Sequence, residues 1–126
     1  MIRIIIFLLI LSSTSSHAQR KSLPNLKFDS KSISYTSIKD QQKDPHKVKA
    51  KFVFTNVGSS PIQILEVKPS CSCTTPNFSK EFIKPKQTGF IVLQTTADQL
   101  KNNGLVYAVV KTNSNTDTYI KLVLNY

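Results

Sequence analysis

Tryptophan is absent, glycine occurs three times, and acidic side chains number seven in 126 residues. Each scarcity removes a class of function. The glycines, at 58, 89 and 104, stand too far apart to build a phosphate-cradling loop, so nucleotide-binding motifs of that kind are excluded. Among the acids only Asp40 and Asp44 lie close together, in a polar stretch where both carboxylates read as solvated, and no general acid and base pair presents itself. No apolar run approaches the roughly 20 residues that a membrane-spanning helix needs. The length leaves room for one ordinary domain, and 40% hydrophobic residues are too many for a disordered chain.

What is present begins with a leader. Met1-Ile2-Arg3 is a short basic start, Ile4 to Leu11 is an unbroken apolar run, and Ser12 to Ala18 is small and polar. This order is that of a secretory signal peptide over residues 1–18, with cleavage expected after Ala18 because small Ser16 and Ala18 suit the peptidase. No cysteine follows the cleavage point, so a lipid anchor is not expected. The mature product is therefore expected outside the cytoplasm, periplasmic or secreted. Removing 1–18 takes Arg3 with it and leaves 16 basic and 7 acidic side chains, a formal charge of +9. Only Arg20 among them is arginine. Guanidinium forks are the usual readers of bases and phosphates, so a basic surface built from lysine argues against sequence-specific nucleic-acid binding. Such a surface keeps the protein soluble and guards sheet edges, and it also suits polyanionic glycans or anionic headgroups.

Residues 19–25 read as a flexible leader, and 26–126 as the folded domain. Its dominant pattern has period two. In Lys47 to Phe54, Val48, Ala50, Phe52 and Phe54 alternate with Lys47, Lys49 and Lys51, the mark of a strand with one buried and one wet face. Asn56 to Pro61 supplies Asn, Gly and Pro for a turn. Further strands are expected over Leu26–Asp29, Ile33–Ile38, Ile62–Lys68, Gly89–Thr95, Leu105–Thr112 and Thr118–Asn125, about seven in all. The alternation slips between Ile64 and Leu65, which predicts a bulge. Leu105–Thr112 is apolar on both faces, which predicts a central strand. Gln99–Asn103 suits one helical turn, with Asn102-Asn103-Gly104 turning the chain back. The pattern predicts an all-β, two-sheet sandwich.

The chemically distinctive segment is Pro69-Ser70-Cys71-Ser72-Cys73-Thr74-Thr75-Pro76, which holds both cysteines. A bridge between them closes a loop of three residues, which by chain entropy is worth only about 1.6 kcal/mol. Three readings stay open: a local disulfide or thiol pair that stiffens a loop, capture of a soft ion such as Cu(I), and thiol exchange. Zinc is disfavoured, since His46 is the one further imidazole or thiol donor in the mature chain. A cysteine-histidine nucleophile would need His46 folded against the loop, and His46 follows the polar stretch from Asp40 to Pro45.

The order Phe52-x-Phe54-Thr55-Asn56-x-Gly58-x-x-Pro61-Ile62-x-Ile64, then Val67-x-x-Ser70-Cys71-Ser72-Cys73-Thr74-x-Pro76, then Ile83-x-Pro85, Gly89-x-Ile91, Gly104 and Thr112-Asn113, resembles the DUF1573 family across about residues 29–125. The resemblance implies an immunoglobulin-like β-sandwich of the kind common among exported proteins of Bacteroidota, with no established activity. It is similar also to the wider group of sandwiches that serve as protein-binding scaffolds. Two positions depart from the family pattern: Ser72 stands where Gly is usual between the cysteines, and Lys86 where Gly usually follows Pro85. Within the pattern Asn56 and Gly58 read as turn-formers, Gly58 through left-handed backbone.

The expected function is therefore that of a non-catalytic binding or scaffolding module without cofactor or metal. Its partner is expected to be an extracytoplasmic protein or envelope component, with a thiol-redox or soft-metal protein as the alternative. The candidate binding surface combines the Pro69–Pro76 loop, with Cys71, Ser72, Cys73 and Thr74, and the Asn56–Pro61 turn, with Asn56 and Gly58.

Overall fold

The strand with the clearest alternation is the longest among the described residues. In this computed structural model, which describes residues 23–126, the chain runs β1 (Leu26–Phe28), β2 (Ser32–Ser34), α1 (Tyr35–Ile38), a 3₁₀ turn over Lys39–Gln41, β3 (Lys47–Asn56) and β4 (Ile64–Pro69). It continues through β5 (Thr75–Phe78), β6 (Thr88–Thr96), α2 (Ala97–Asn103), β7 (Leu105–Thr112) and β8 (Tyr119–Asn125). The expected signal peptide and residues 19–22 of the expected leader lie outside the described residues.

The strands form two four-stranded sheets, in the orders β1-β3-β6-β5 and β2-β8-β7-β4. All pairs are antiparallel except β2 with β8. The fold is thus an all-β sandwich, with eight strands against about seven expected. Each sheet turns one side-chain row inward. Phe52, Phe54, Ile91 and Leu93 from the first sheet meet Val106, Val110, Leu122 and Leu124 from the second, all essentially without solvent exposure. Burying each such side chain stabilises the fold by roughly 1.5–3 kcal/mol, which makes this double row its chief support. Strand β7 lies between β8 and β4, the central place its apolar character predicts, and the β4 register shifts between Ile64 and Glu66, the predicted bulge.

Two elements differ from the expectation. Ile33–Ile38 is a strand only at its start: Ser32–Ser34 pairs with β8, and Tyr35–Ile38 turns into α1. The local Ser and Thr side chains explain the change. Ser37 Oγ donates to the Ser34 carbonyl at 2.6 Å, and the Ser34 and Thr36 hydroxyls share a bond at 2.8 Å. Such bonds compete with a ladder. Tyr35 and Ile38, three residues apart, then pack on the core from one side of the turn. The second difference is β5, a strand in a stretch that reads as loop because of Pro76. It is an edge strand bonded only to β6, the setting in which a sheet tolerates proline.

The expected helical turn is α2. Thr96 caps it by accepting from the Gln99 N–H at 3.1 Å, Leu100 is its buried residue, and Gly104 ends it at φ 76° with its N–H on the Leu100 carbonyl.

Candidate functional site

The Cys-x-Cys segment is the crossover between the two layers. Strand β4 belongs to the second sheet and β5 to the first, so residues 70–74 bridge the sandwich at one end. Each side is tied. Ser70 donates its N–H to the Tyr107 carbonyl at 2.8 Å and accepts the Tyr107 N–H on its Oγ at 3.1 Å. On the other sheet, Thr95 Oγ1 donates to the Cys73 carbonyl at 3.2 Å. Between these anchors Cys71 and Cys73 are joined by a disulfide, with their Cα atoms 5.2 Å apart.

The disulfide is half-buried and packs against the core, while Ser70 and Ser72 face solvent. Thr74 is buried beneath it: its N–H donates to the Cys71 carbonyl at 3.3 Å, and its Oγ1 lies 3.6 and 3.7 Å from the two sulfurs. Ser72 stays outside the left-handed region, so the short ring closes without the glycine usual there. Thr95 is a hydrogen-bond partner of the loop that the sequence expectation does not include. Its signal was a polar residue in the inward row Gly89, Ile91, Leu93, Thr95.

The expected composite surface is not assembled. On β6, Thr88 pairs with Thr55 beside the Asn56 turn, whereas Gln94 pairs with Thr75 beside the cysteine loop. Six residues of strand separate the two, about 20 Å, so the loop and the turn occupy opposite ends of the sandwich. The length of the strand between Ile62 and Lys68 was the available clue: a strand that crosses the molecule puts its two ends on different rims.

At the far end Asn56 is wholly buried and its side chain is fully engaged. Its Nδ2 donates to the carbonyls of Ser60 and Ile83, each at 2.8 Å, and its Oδ1 accepts the Gly58 N–H at 2.9 Å. Asn56 is therefore the clamp of two turns rather than a residue presented to a partner. Gly58 does not adopt left-handed backbone. It is needed for close approach, because a Cβ there would collide with the backbone of Leu23 and Asn25. Those residues accept from Val57, Gly58 and Ser59, so the described end of the expected leader is bonded to the turn. Among the described residues the non-glycine residue with left-handed backbone is Lys86, at φ 69°, in the place where glycine is usual.

His46 is exposed, donates its backbone N–H to the Asp44 carboxylate at 2.9 Å, and accepts the Ala97 N–H on its carbonyl. Among the described residues no hydrogen bond joins its ring to the sulfurs, and no three His, Cys, Asp or Glu side chains gather as metal ligands. In the disulfide form the sulfurs offer neither a thiolate nucleophile nor a thiolate ligand. Among the described residues no helix is long and apolar enough to cross a membrane.

The geometry defines an all-β sandwich module whose two layers are joined at one end by a crossover carrying a short-range disulfide. The family model described as a protein of unknown function, DUF1573, matches residues 26–125, and the chain belongs to that family. Among solved structures it is similar to a protein of unknown function from Porphyromonas gingivalis W83, with a TM-score of 0.61 and 17% identity over 82% of this chain and 47% of the other. The chain thus spans about half the length of that relative. It also aligns with the secreted serine protease VesC from Vibrio cholerae at a TM-score of 0.47 and 7% identity, over 83% of this chain and 23% of that one. None of the curated proteins matches the chain in sequence.

Proposed function

We propose that this domain is an exported, non-catalytic binding or scaffolding module that meets an extracytoplasmic protein or envelope component through the disulfide loop. The observation that carries this reading is the anchoring of residues 70–74 to both sheets while Ser70 and Ser72 remain exposed. A loop held in this way loses little freedom on binding, which favours affinity. Apolar surface stands at the same end: Leu105, two residues before the Tyr107 that holds Ser70, is 43% exposed, and Tyr126, whose N–H bonds the Gly104 carbonyl, is 50% exposed. Partial exposure of an apolar side chain beside a rigid loop is the arrangement of an interface anchor.

The test is recovery of partners from an envelope extract by wild type, by Ser72→Arg at the loop end and by Ser59→Arg at the opposite end. Loss with Ser72→Arg alone supports the loop as the contact. Equal recovery by all three rejects it.

A second reading, thiol exchange, is favoured by one observation: a three-residue ring contributes little stability, and its sulfurs are only half-buried. Alkylation of the native protein with and without a mild reductant separates the two. A bridge that resists reduction until the protein unfolds removes the redox reading.

A further inference from the structure

We infer that the outer face of the first sheet is a docking surface for an acidic polysaccharide. The four strands of that sheet contain Lys27, Lys47, Lys49 and Lys51 and no acidic residue. Strand alternation places Lys47, Lys49 and Lys51 in one exposed row at a pitch of about 6.8 Å. Among the described residues none of the three is in an ion pair. On the second sheet the pattern differs, since Glu66 stands directly across from Lys111 in the strand register.

The row is extended at one end by a depression of about 460 Å³, lined by Gln41, Gln42, Lys43, Asp44, Lys47 and Lys49. Three ammonium groups around one concavity, against a single carboxylate, favour an anionic occupant. The other end of the row is steadied by an aromatic ring, with Lys51 Nζ 5.4 Å from the centre of Phe90. Across the strands, the outward positions opposite Lys49 and Lys51 are Gln94 with Thr75, and Val92 with Asn77. Charge in a line beside two amides, a hydroxyl and the half-buried Val92 and Phe90 fits a stiff chain that carries acidic groups, hydroxyls and the C–H faces of sugar rings.

Other polyanions fit less well. An acidic peptide that added a strand beside the lysine row would need the side of β3 that β1 leaves uncovered, and most of that edge is taken. Gln42 donates its Nε2 to the Lys49 carbonyl and accepts the Lys49 N–H at 2.8 Å, Lys47 N–H bonds the Asp44 carbonyl, and the Val53 carbonyl is taken by Asp29. A lipid surface would call for apolar side chains that insert, and the large exposed apolar residues lie elsewhere: Leu65, Leu105 and Tyr119 on the second sheet, the others in loops or at the ends. Nucleic acid is disfavoured because residues 23–126 contain no arginine.

The surface adjoins the cysteine loop at Thr75 but uses the lysine row on the outer face of the sheet and not Ser70 or Ser72, so the two proposals are tested by different variants. The test measures affinity of the mature chain for oligogalacturonate at low ionic strength. Polyglutamate and phosphatidylglycerol vesicles serve as competing polyanions. The triple variant Lys47→Gln, Lys49→Gln, Lys51→Gln is compared with a triple variant of equal charge on the other sheet, Lys68→Gln, Lys111→Gln, Lys121→Gln. Oligogalacturonate is expected to bind most tightly, with affinity falling at least about tenfold in the first variant and less than about twofold in the second. Urea unfolding of both variants checks that the fold is retained. Equal weakening by the two variants, binding of polyglutamate or vesicles as tight as that of oligogalacturonate, or no binding of oligogalacturonate overturns the proposal.

Discussion

The side-chain amide of Asn56 donates to the carbonyl of Ile83 at 2.8 Å, joining residues 27 apart in the chain. With its bonds to Ser60 and Gly58, this makes one buried side chain the junction of the turn after β3 and the approach to β6. Removing it takes one donor from each of the Ser60 and Ile83 carbonyls and one acceptor from the Gly58 N–H, while Ile83 keeps the Ile62 N–H and Gly58 keeps the Asn25 carbonyl. Asn56→Ala is expected to cost about 2–4 kcal/mol, since it removes three hydrogen bonds worth about 0.5–1.5 kcal/mol each from a wholly buried site. Urea denaturation followed by circular dichroism measures it. A loss below about 0.5 kcal/mol would show that the clamp contributes nothing beyond the neighbouring ladder.

Lys86 holds left-handed backbone at φ 69° while its N–H bonds the Asn56 carbonyl at 2.8 Å. A side chain is strained there, and glycine is not. Lys86→Gly is expected to raise stability by roughly 0.5 kcal/mol, the relief of strain exceeding the added freedom of the unfolded chain. The same substitution in the exposed interior of α2, Lys101→Gly, is expected to lower it by about 1 kcal/mol. Opposite signs in paired denaturation curves are the outcome to check.

The disulfide closes so short a ring that its loss, in the chain-entropy view, costs only about 1.6 kcal/mol. Cys71→Ala with Cys73→Ala is expected to lower stability by about 1–3 kcal/mol, including the packing of both side chains on the core. Reductant added to wild type should give the lower part of that range. Complete unfolding on reduction would make the bridge a main support of the fold, against this account.

The proposed export predicts a defined mature product. Mass spectrometry of the protein recovered from outside the cytoplasm is expected to show a chain starting at Gln19, without Arg3 and with a formal charge of +9. A full-length chain beginning at Met1 in the cytoplasmic fraction would contradict the reading of residues 1–18.

What the sequence made legible follows from where polarity alternates. Strand β3 reads directly because Lys47, Lys49 and Lys51 mark the wet face between buried Val48, Ala50 and Phe52. In β5 the same logic fails, since Pro76 is half-buried between exposed Thr75 and Asn77 on an edge that accepts proline. Tyr35 to Ile38 misleads for another reason: Ile33 and Tyr35 share strand parity, while Tyr35 and Ile38 share a helical face. At the candidate site the cysteines are visible as a motif. Their distance from Asn56 is not, because it depends on the order and direction of strands in the sheets. Nor does a turn signature at Asn56 disclose its burial or its bond to the Ile83 carbonyl, a partner far along the chain.

The most direct test of the cysteine loop as contact surface is photocrosslinking in the intact envelope, with the reactive side chain placed at exposed Ser72 or at exposed Ser59 on the opposite rim. A discrete adduct formed from position 72 and none from 59 is the predicted result. Adducts from 59 alone, or equally from both, would contradict it.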